Sequence, residues 1–189
     1  DTDLAGANLT GAVLSDRDLR SVKLTAANLA DSDLRSVNLT GVDLCGVNLT
    51  DANLTGTNLA GANLTDANLS GADLTHTDLS GANLTGANLR QSNFTGMVLT
   101  DVKLSGVDLT GSNLAGADLT EVNLTGATLI NVDLSGANLS GANLTDVSLS
   151  GANLCNVSVI GADLAGADLT RASLTGADVT RVNLMSATL

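Results

Sequence analysis

The sequence predicts an all-β solenoid, a chain wound into stacked coils around one narrow apolar interior. Three observations predict it. A large apolar residue recurs at every fifth position, small apolar residues recur two positions before it, and all 20 glycines lie two positions after it. Phe94 is the only aromatic residue, which disfavours both a conventional globular core and a surface that stacks on nucleic-acid bases.

Each five-residue unit can be written around a central residue i. The centres begin at Leu4 and end at Leu189, and all are Leu except Phe94, Val159 and Val179. Position i−2 is mostly Ala or Val, i−1 is mostly Asn or Asp, and i+1 is mostly Thr or Ser. The unit therefore has two apolar columns, one polar column and two corner positions.

A five-residue period fits neither a continuous helix nor a continuous strand. On an α-helix successive centres would rotate by about 140° and wind around all faces. On a strand they would alternate between sides, because five is odd. Each unit must therefore turn the chain, so that i−2 and i point inward and i−1 points outward. Glycine at i+2 tolerates the backbone angles of a tight corner.

The units resemble those of the pentapeptide-repeat proteins, whose consensus is A(D/N)LXX. Residues 62–66 (Ala-Asn-Leu-Thr-Asp) and residues 82–86 (Ala-Asn-Leu-Thr-Gly) both match it. The resemblance covers residues 1–189 in one register and implies a single uninterrupted domain, a right-handed four-sided parallel β-helix. The corner spacing by itself does not distinguish four sides from three. With four sides, about 9.5 coils of about 20 residues would form a rod about 45 Å long.

The interior should contain the centre column and should adapt to a few exceptions. The core residues predicted along its length include Leu4, Leu9, Leu64, Phe94, Leu124, Val159 and Val179. Phe94 and the nearby Met97 predict a change of packing volume in the middle of the rod. Arg17 occupies an inward i−2 position, and we expect a splayed early coil there, with the guanidinium directed outward.

The charge and the titratable residues argue against several classes of function. Lys and Arg total 8 against 20 Asp and Glu, a net charge of −12, which disfavours direct binding to nucleic acid or an anionic membrane. No apolar run is long enough to span a bilayer. His76 is the only histidine, and carboxylates such as Asp16 and Asp18 should face solvent outside any cleft. We therefore predict no metal, no cofactor, no small-molecule substrate and no enzyme activity.

The two cysteines are not expected to form an intrachain disulfide. Cys45 and Cys155 lie about 5.5 coils apart under the four-sided arrangement, about 26 Å along the axis and on opposite sides. A disulfide requires Cα atoms within about 7 Å. The sequence assigns the chain to no compartment.

Both ends of the sequence are in register with the repeat, from Asp3-Leu4 to Thr188-Leu189. Solenoids normally cover their terminal coils with an atypical capping repeat. Bare ends are explained either by a longer parent protein or by other copies stacked on them. The candidate end-to-end contacts are Leu4, Leu9, Leu184 and Leu189, and the expected partner is a second copy or another protein.

Three functions are compatible with this pattern. The first is a structural or scaffolding rod that associates end to end. The second follows from the resemblance, since some pentapeptide-repeat proteins imitate B-form DNA, bind type II topoisomerases such as gyrase and protect them from inhibitors. Here the charge density is one per about 4 Å against one per about 1.7 Å for duplex DNA. The third is a flat Thr-rich face similar to those of ice-binding solenoids, which Arg90 and Ile130 interrupt.

Overall fold

The computed structural model describes residues 2–189 and confirms a right-handed, four-sided parallel β-helix. Parallel backbone bridges join residues that are 20 apart, beginning with Asp3 and Lys23 and ending with Asp168 and Thr188. Because each unit has five residues, a spacing of 20 places four units in each coil. The number of sides that the resemblance implied is therefore confirmed.

Each side of the rod is a stack of isolated parallel bridges between outward i−1 residues, and a two-residue turn at i+1 and i+2 separates neighbouring sides. We number the sides and the corners that follow them in chain order. In steps of 20 residues, the first side runs from Asp3 to Asn183, the second from Asn8 to Thr188, the third from Val13 to Ser173 and the fourth from Asp18 to Asp178. Each corner is named by its i+2 residue. The first members of the four stacks of corners are Gly6, Gly11, Asp16 and Ser21.

The corners hold the coils together through their backbone. Corner residues adopt left-handed φ values, for example 68° at Gly41 and 55° at Asp51, which is why glycine is frequent there. In this conformation the corner N–H faces the next coil, so that the N–H of Gly6 donates to the carbonyl of Thr25 (2.9 Å). Among the described corners, only Ser21 and Asp101 lack a positive φ.

The interior is a single apolar stack of centre and i−2 residues. Leu residues from Leu24 to Leu169 are at most 4% exposed. Polar residues at i−2 are accommodated because their hydroxyls donate to backbone carbonyls, as Thr57 Oγ1 does to Leu34 (2.7 Å). In the described chain, no buried side-chain nitrogen or oxygen lacks a hydrogen-bond partner.

The predicted core residues lie in this stack with different degrees of burial. Leu64, Phe94, Leu124 and Val159 are buried, Leu4 and Leu9 are partly buried against the core, and Val179 is exposed. Val179 differs from the others because it lies in the last coil, where no further described layer covers it.

Candidate functional site

The C-terminal coil presents an apolar surface at the end of the rod. Its four centre residues, Leu174, Val179, Leu184 and Leu189, are between 37% and 77% exposed. The same column is buried throughout the middle of the rod. We call these four residues the C-terminal end face. It contains Leu184 and Leu189, two of the residues predicted for end-to-end contacts.

The opposite end is less apolar. Leu4 and Leu9, the other two predicted contacts, are partly buried against the core. Arg17 lies in the inward column of the same coil and is exposed. The coil is not splayed there, because the N–H of Asn38 still donates to the Arg17 carbonyl (2.9 Å). We call Leu4, Leu9 and Arg17 the N-terminal end face.

Outward Asn and Asp side chains fix the corner that follows them. Asn53 Oδ1 accepts the backbone N–H of Thr55 (3.0 Å) and its hydroxyl (2.6 Å). Asp73 does the same with Thr75, and these two bonds lower the pKa of the Asp73 carboxyl. The arrangement explains why Asn or Asp recurs at i−1 and Thr or Ser at i+1. These hydroxyls and amide oxygens are therefore engaged in hydrogen bonds that hold the corner.

Asparagine side chains also connect successive coils. On the second side, Asn48 Nδ2 donates to Asn28 Oδ1 (2.9 Å), and Asn88 Nδ2 donates to Asn68 Oδ1 (3.0 Å). Such ladders add side-chain hydrogen bonds to the backbone stack. The second side is therefore connected through both its backbone and its side chains.

Four ion pairs join basic residues to outward aspartates in the described chain. They are Arg20–Asp18 (2.6 Å), Lys23–Asp3 (3.5 Å), Arg35–Asp33 (2.6 Å) and Arg90–Asp108 (3.2 Å). Hydrogen bonds from the guanidinium groups hold the pKa of Asp18 and of Asp33 at about 2. The ammonium group of Lys103 belongs to no ion pair within residues 2–189.

The stack of coils is interrupted at three places. Within residues 2–189, the unbridged neighbours are Lys23 and Asp43, Asp78 and Val98, and Lys103 and Asn123. The first and third lie on the first side, directly after the corners at Ser21 and Asp101, which lack the left-handed conformation. The N–H groups of Ser21, Gly81 and Asp101 accordingly have no backbone acceptor in the next coil.

Each interruption opens a cleft between two coils. The clefts at Lys23, Val98 and Lys103 have volumes of about 610, 430 and 290 Å³. These clefts were not predicted from the sequence. The one available signal was that both lysines of the chain occupy i−1 positions on the same side.

The cleft at Val98 coincides with the predicted change of packing volume. Phe94 and Met97 lie one coil above the smaller Leu74 and Thr77, and Phe94 is buried. The larger pair lies beside the missing bridge between Asp78 and Val98 on the fourth side, and the outward Val98 is 68% exposed. His76 lines this cleft.

The remaining candidates for chemistry are not assembled into a site. Cys45 and Cys155 are both free. Within residues 2–189 no three His, Cys, Asp or Glu side chains are grouped so that they could hold a metal ion. Over the same residues, no helix has the length and apolarity needed to cross a membrane.

Two long stretches of the rod contain acidic residues and no basic ones. Residues 36–89 contain five acidic residues and no Lys or Arg, and residues 104–170 contain seven and no Lys or Arg. Arg90 and Lys103 lie between the two stretches. The negative potential is therefore divided along the rod and is not concentrated on one side.

The comparisons with known proteins agree with this architecture. The family model described as pentapeptide repeats matches in eight copies over residues 1–35, 18–51, 48–86, 77–116, 108–146 and 148–185. A search of the curated proteins finds no significant match.

Several solved structures are similar to the chain. One is trypsin-treated QnrB1, a plasmid-mediated fluoroquinolone resistance protein, with 22% identity and a TM-score of 0.86 over 95% of this chain and 92% of that one. Full-length QnrB1 gives a TM-score of 0.81. HetL, a protein involved in heterocyst differentiation regulation in the cyanobacterium Nostoc, is 32% identical over 98% of this chain and 90% of its own, with a TM-score of 0.46. The likeness to QnrB1 concerns the fold.

Proposed function

Because the chain belongs to the pentapeptide repeat family, we propose that it is a non-enzymatic structural or scaffolding rod that associates end to end. The observation that carries the proposal is the C-terminal end face, in which Leu189 is 77% exposed and Leu174, Val179 and Leu184 are partly exposed. Apolar residues exposed side by side favour a protein contact, because burying them stabilises the contact by about 25 cal/mol per Å².

The backbone at the two ends is complementary. The N–H groups of Leu174 and Leu184 face away from the preceding coil and have no backbone acceptor within the described chain. At the other end, the carbonyls of Asn8 and Val13 have no backbone donor. Within the rod, these are the groups that join one coil to the next. A second copy stacked on the C-terminal end face would continue the same ladder, and a head-to-tail contact of this kind propagates into a filament.

Arg17 opposes this association. It lies in the inward column of the N-terminal end face, so stacking would bring its charge towards an apolar layer. Substituting Arg17→Val would give this position the residue found one coil above, at Val37. We expect the variant to associate at a lower concentration than the parent chain.

The test is light scattering combined with negative-stain microscopy over a concentration series. Leu189→Asp should abolish filaments, or raise the concentration they require at least tenfold. Val98→Asp is the matched control, because Val98 is 68% exposed but lies on the fourth side in the middle of the rod. The proposal is wrong if the parent chain remains a monodisperse short rod at every concentration, or if the two variants weaken association equally.

The proposal includes no catalysis, cofactor or small-molecule substrate. The Thr hydroxyls, for example those of Thr55 and Thr75, donate to neighbouring Asx side chains, and the pKa values of outward aspartates such as Asp73 are lowered, not raised. Neither arrangement produces a nucleophile or a general acid at neutral pH.

A second candidate is a rod that imitates DNA, binds type II topoisomerase and protects it from inhibitors. The observation that favours it is the pair of acidic stretches, residues 36–89 and 104–170, which contain no Lys or Arg. The test is a gyrase supercoiling assay with a quinolone. Restored supercoiling at excess rod would support this function, and unchanged inhibition would exclude it.

A further inference from the structure

We propose that the cleft at Lys103 binds an oxyanion, either a carboxylate or a phosphate group. The cleft opens between two coils of the first side. It is lined by Lys103, Ser105, Asn123 and Thr85, with Val102 and Leu104 at its apolar base. No carboxylate lines it, although the rod as a whole carries a charge of −12.

The cleft collects hydrogen-bond donors that nothing else uses. Within residues 2–189, Lys103 forms no ion pair, and neither the hydroxyl of Ser105 nor the side-chain amide of Asn123 donates a hydrogen bond. The backbone N–H groups of Leu104 and Asn123 also lack acceptors. One coil earlier the equivalent groups are paired, since the N–H of Leu84 donates to the Lys103 carbonyl (2.9 Å).

These donors suit an oxyanion in both charge and hydrogen-bonding capacity. An ammonium group supplies a full positive charge, and charge-assisted hydrogen bonds are about twice as strong as neutral ones. The hydroxyl of Ser105 and the amide of Asn123 can donate to further oxygens of the same anion. The carbonyls of Val102 and Asn123, which have lost their backbone donors, accept hydrogen bonds only. Lys103 is the only charged residue that lines the cleft, so the charge of its ammonium group favours a negatively charged ligand.

The cleft at Lys23 provides a control within the same chain. It lies on the same side, follows the same kind of corner, and is about 19 Å away along the axis at four coils. Its ammonium is paired with Asp3 (3.5 Å), and Asp43 lines it at the position that Asn123 occupies in the other cleft. Arg20 also lines that cleft, but its guanidinium is paired with Asp18 (2.6 Å). An anion there would face one carboxylate directly and would have to displace two others. The proposal therefore assigns binding to Lys103 and not to Lys23.

The experiment is an NMR titration of the full chain with inorganic phosphate and, separately, with acetate, at constant ionic strength. The amide signals of Leu104, Ser105 and Asn123 should shift and saturate. Lys103→Gln should weaken binding at least tenfold, whereas Lys23→Gln should leave it unchanged. Unchanged signals elsewhere in the spectrum will show that each variant keeps the fold.

A second variant keeps the test decisive if Lys103→Gln disturbs the coil. Asn123→Asp reproduces the carboxylate of the Lys23 cleft without altering the lysine, and it should also reduce binding at least tenfold. Saturation with both anions assigns a general oxyanion site, whereas saturation with one alone assigns a phosphate or a carboxylate. Linear shifts without saturation, or equal losses in Lys23→Gln and Lys103→Gln, would overturn the proposal.

Discussion

The second and fourth corners of the rod are built from the same kinds of residue but stack differently. At the second corner, every corner N–H from Gly11 to Gly151 donates to a carbonyl in the next coil. At the fourth corner, the N–H groups of Ser21, Gly81 and Asp101 do not. Both corners include glycine and aspartate, so residue type alone does not decide how well the coils stack.

The direction of the corner peptide accounts for the difference. Asp51 at the second corner has a φ of 55°, whereas Asp101 at the fourth has no positive φ. A corner peptide turned the other way no longer directs its N–H to the next coil, or its carbonyl to the preceding one. One such corner therefore removes two hydrogen bonds, from Gly81 to Thr100 and from Asp101 to Thr120. The cleft at Lys103 lies directly beyond that corner.

The largest expected effect is on the free energy of unfolding, when two core leucines of the first side are each replaced by alanine. Leu84→Ala and Leu104→Ala each create a cavity, at a cost of about 2–5 kcal/mol in the free energy of unfolding. Leu84 lies in a coil that is bonded to its neighbour, whereas the N–H of Leu104 has no acceptor. The cost depends on how far the site can collapse, so we expect Leu104→Ala to be the milder variant by about 1–2 kcal/mol. Urea unfolding of both proteins measures the difference, and equal costs would contradict it.

Two glycines extend the comparison to the corners themselves. Gly71 and Gly81 have φ values of 71° and 66°, so valine is strained at either position, by about 1–3 kcal/mol. At Gly71 a Cβ would also meet the carboxylate of Asp51, whereas at Gly81 it would meet nothing within 4 Å. We expect Gly71→Val to lower the thermal midpoint more than Gly81→Val. The reverse order would mean that the second corner has more freedom than its hydrogen bonds indicate.

Asp101→Gly should repair part of the fourth corner. Glycine adopts the left-handed conformation readily, which would restore two backbone hydrogen bonds, each contributing about 0.5–1.5 kcal/mol. The control is Asp31→Gly at the second corner, where φ is already 58° and the N–H is already bonded. We expect a gain of about 1–2 kcal/mol for Asp101→Gly in urea unfolding. The gain should be smaller for the control, which only relieves the left-handed strain of a non-glycine residue. A loss of stability in Asp101→Gly would show that the corner is held by another interaction.

The smallest expected effect is a loss of stability in acid, and it should be equal on the second and fourth sides. Hydrogen bonds from the hydroxyl and N–H of the following threonine lower the pKa of Asp168 on the second side and of Asp178 on the fourth. Because the folded pKa is below the unfolded value near 3.8, the stabilisation is fully present above that value and is lost as pH falls through the folded pKa. Asp168→Asn and Asp178→Asn should each remove a similar part of this acid-induced loss. Unequal changes in the denaturation curves of the two variants between pH 5 and pH 2 would mean that the second and fourth sides differ in their side-chain hydrogen bonds as well as in their backbone.

The five-residue period was sufficient to predict a β-solenoid, because a chain that turns in every unit returns each centre to a common interior. The four sides and the right-handed winding were implied only by the resemblance to pentapeptide-repeat proteins. The positions of the Asn–Thr pairs and of glycine follow from the same path. Phe94 and Met97 predicted a change of packing volume in the middle of the rod, whereas the missing bridge between Asp78 and Val98 beside them was not foreseen. Volume can be read from a residue type, but the displacement of a neighbouring coil depends on three-dimensional packing.

The clefts at the two lysines could not be predicted from the sequence. Ser21 and Asp101 have the same residue types as Ser36 and Asp51, which adopt the left-handed conformation with φ values of 57° and 55°. A local preference of this kind is small, and the coils above and below decide it. The sequence also did not predict that the two ends differ in exposure, because Leu4 and Leu189 occupy the same position in the repeat.

Amide hydrogen exchange resolved by residue tests most directly whether the fourth corner stacks less well than the second. We expect slow exchange at second-corner amides such as Gly71 and Gly111, and fast exchange at Gly81 and Asp101 of the fourth corner. The amides of Leu104 and Asn123 should be fast as well, because the cleft exposes them. Uniform protection around all four corners would show that the fourth corner is bonded as well as the second, and it would rule out the cleft on which the oxyanion site depends.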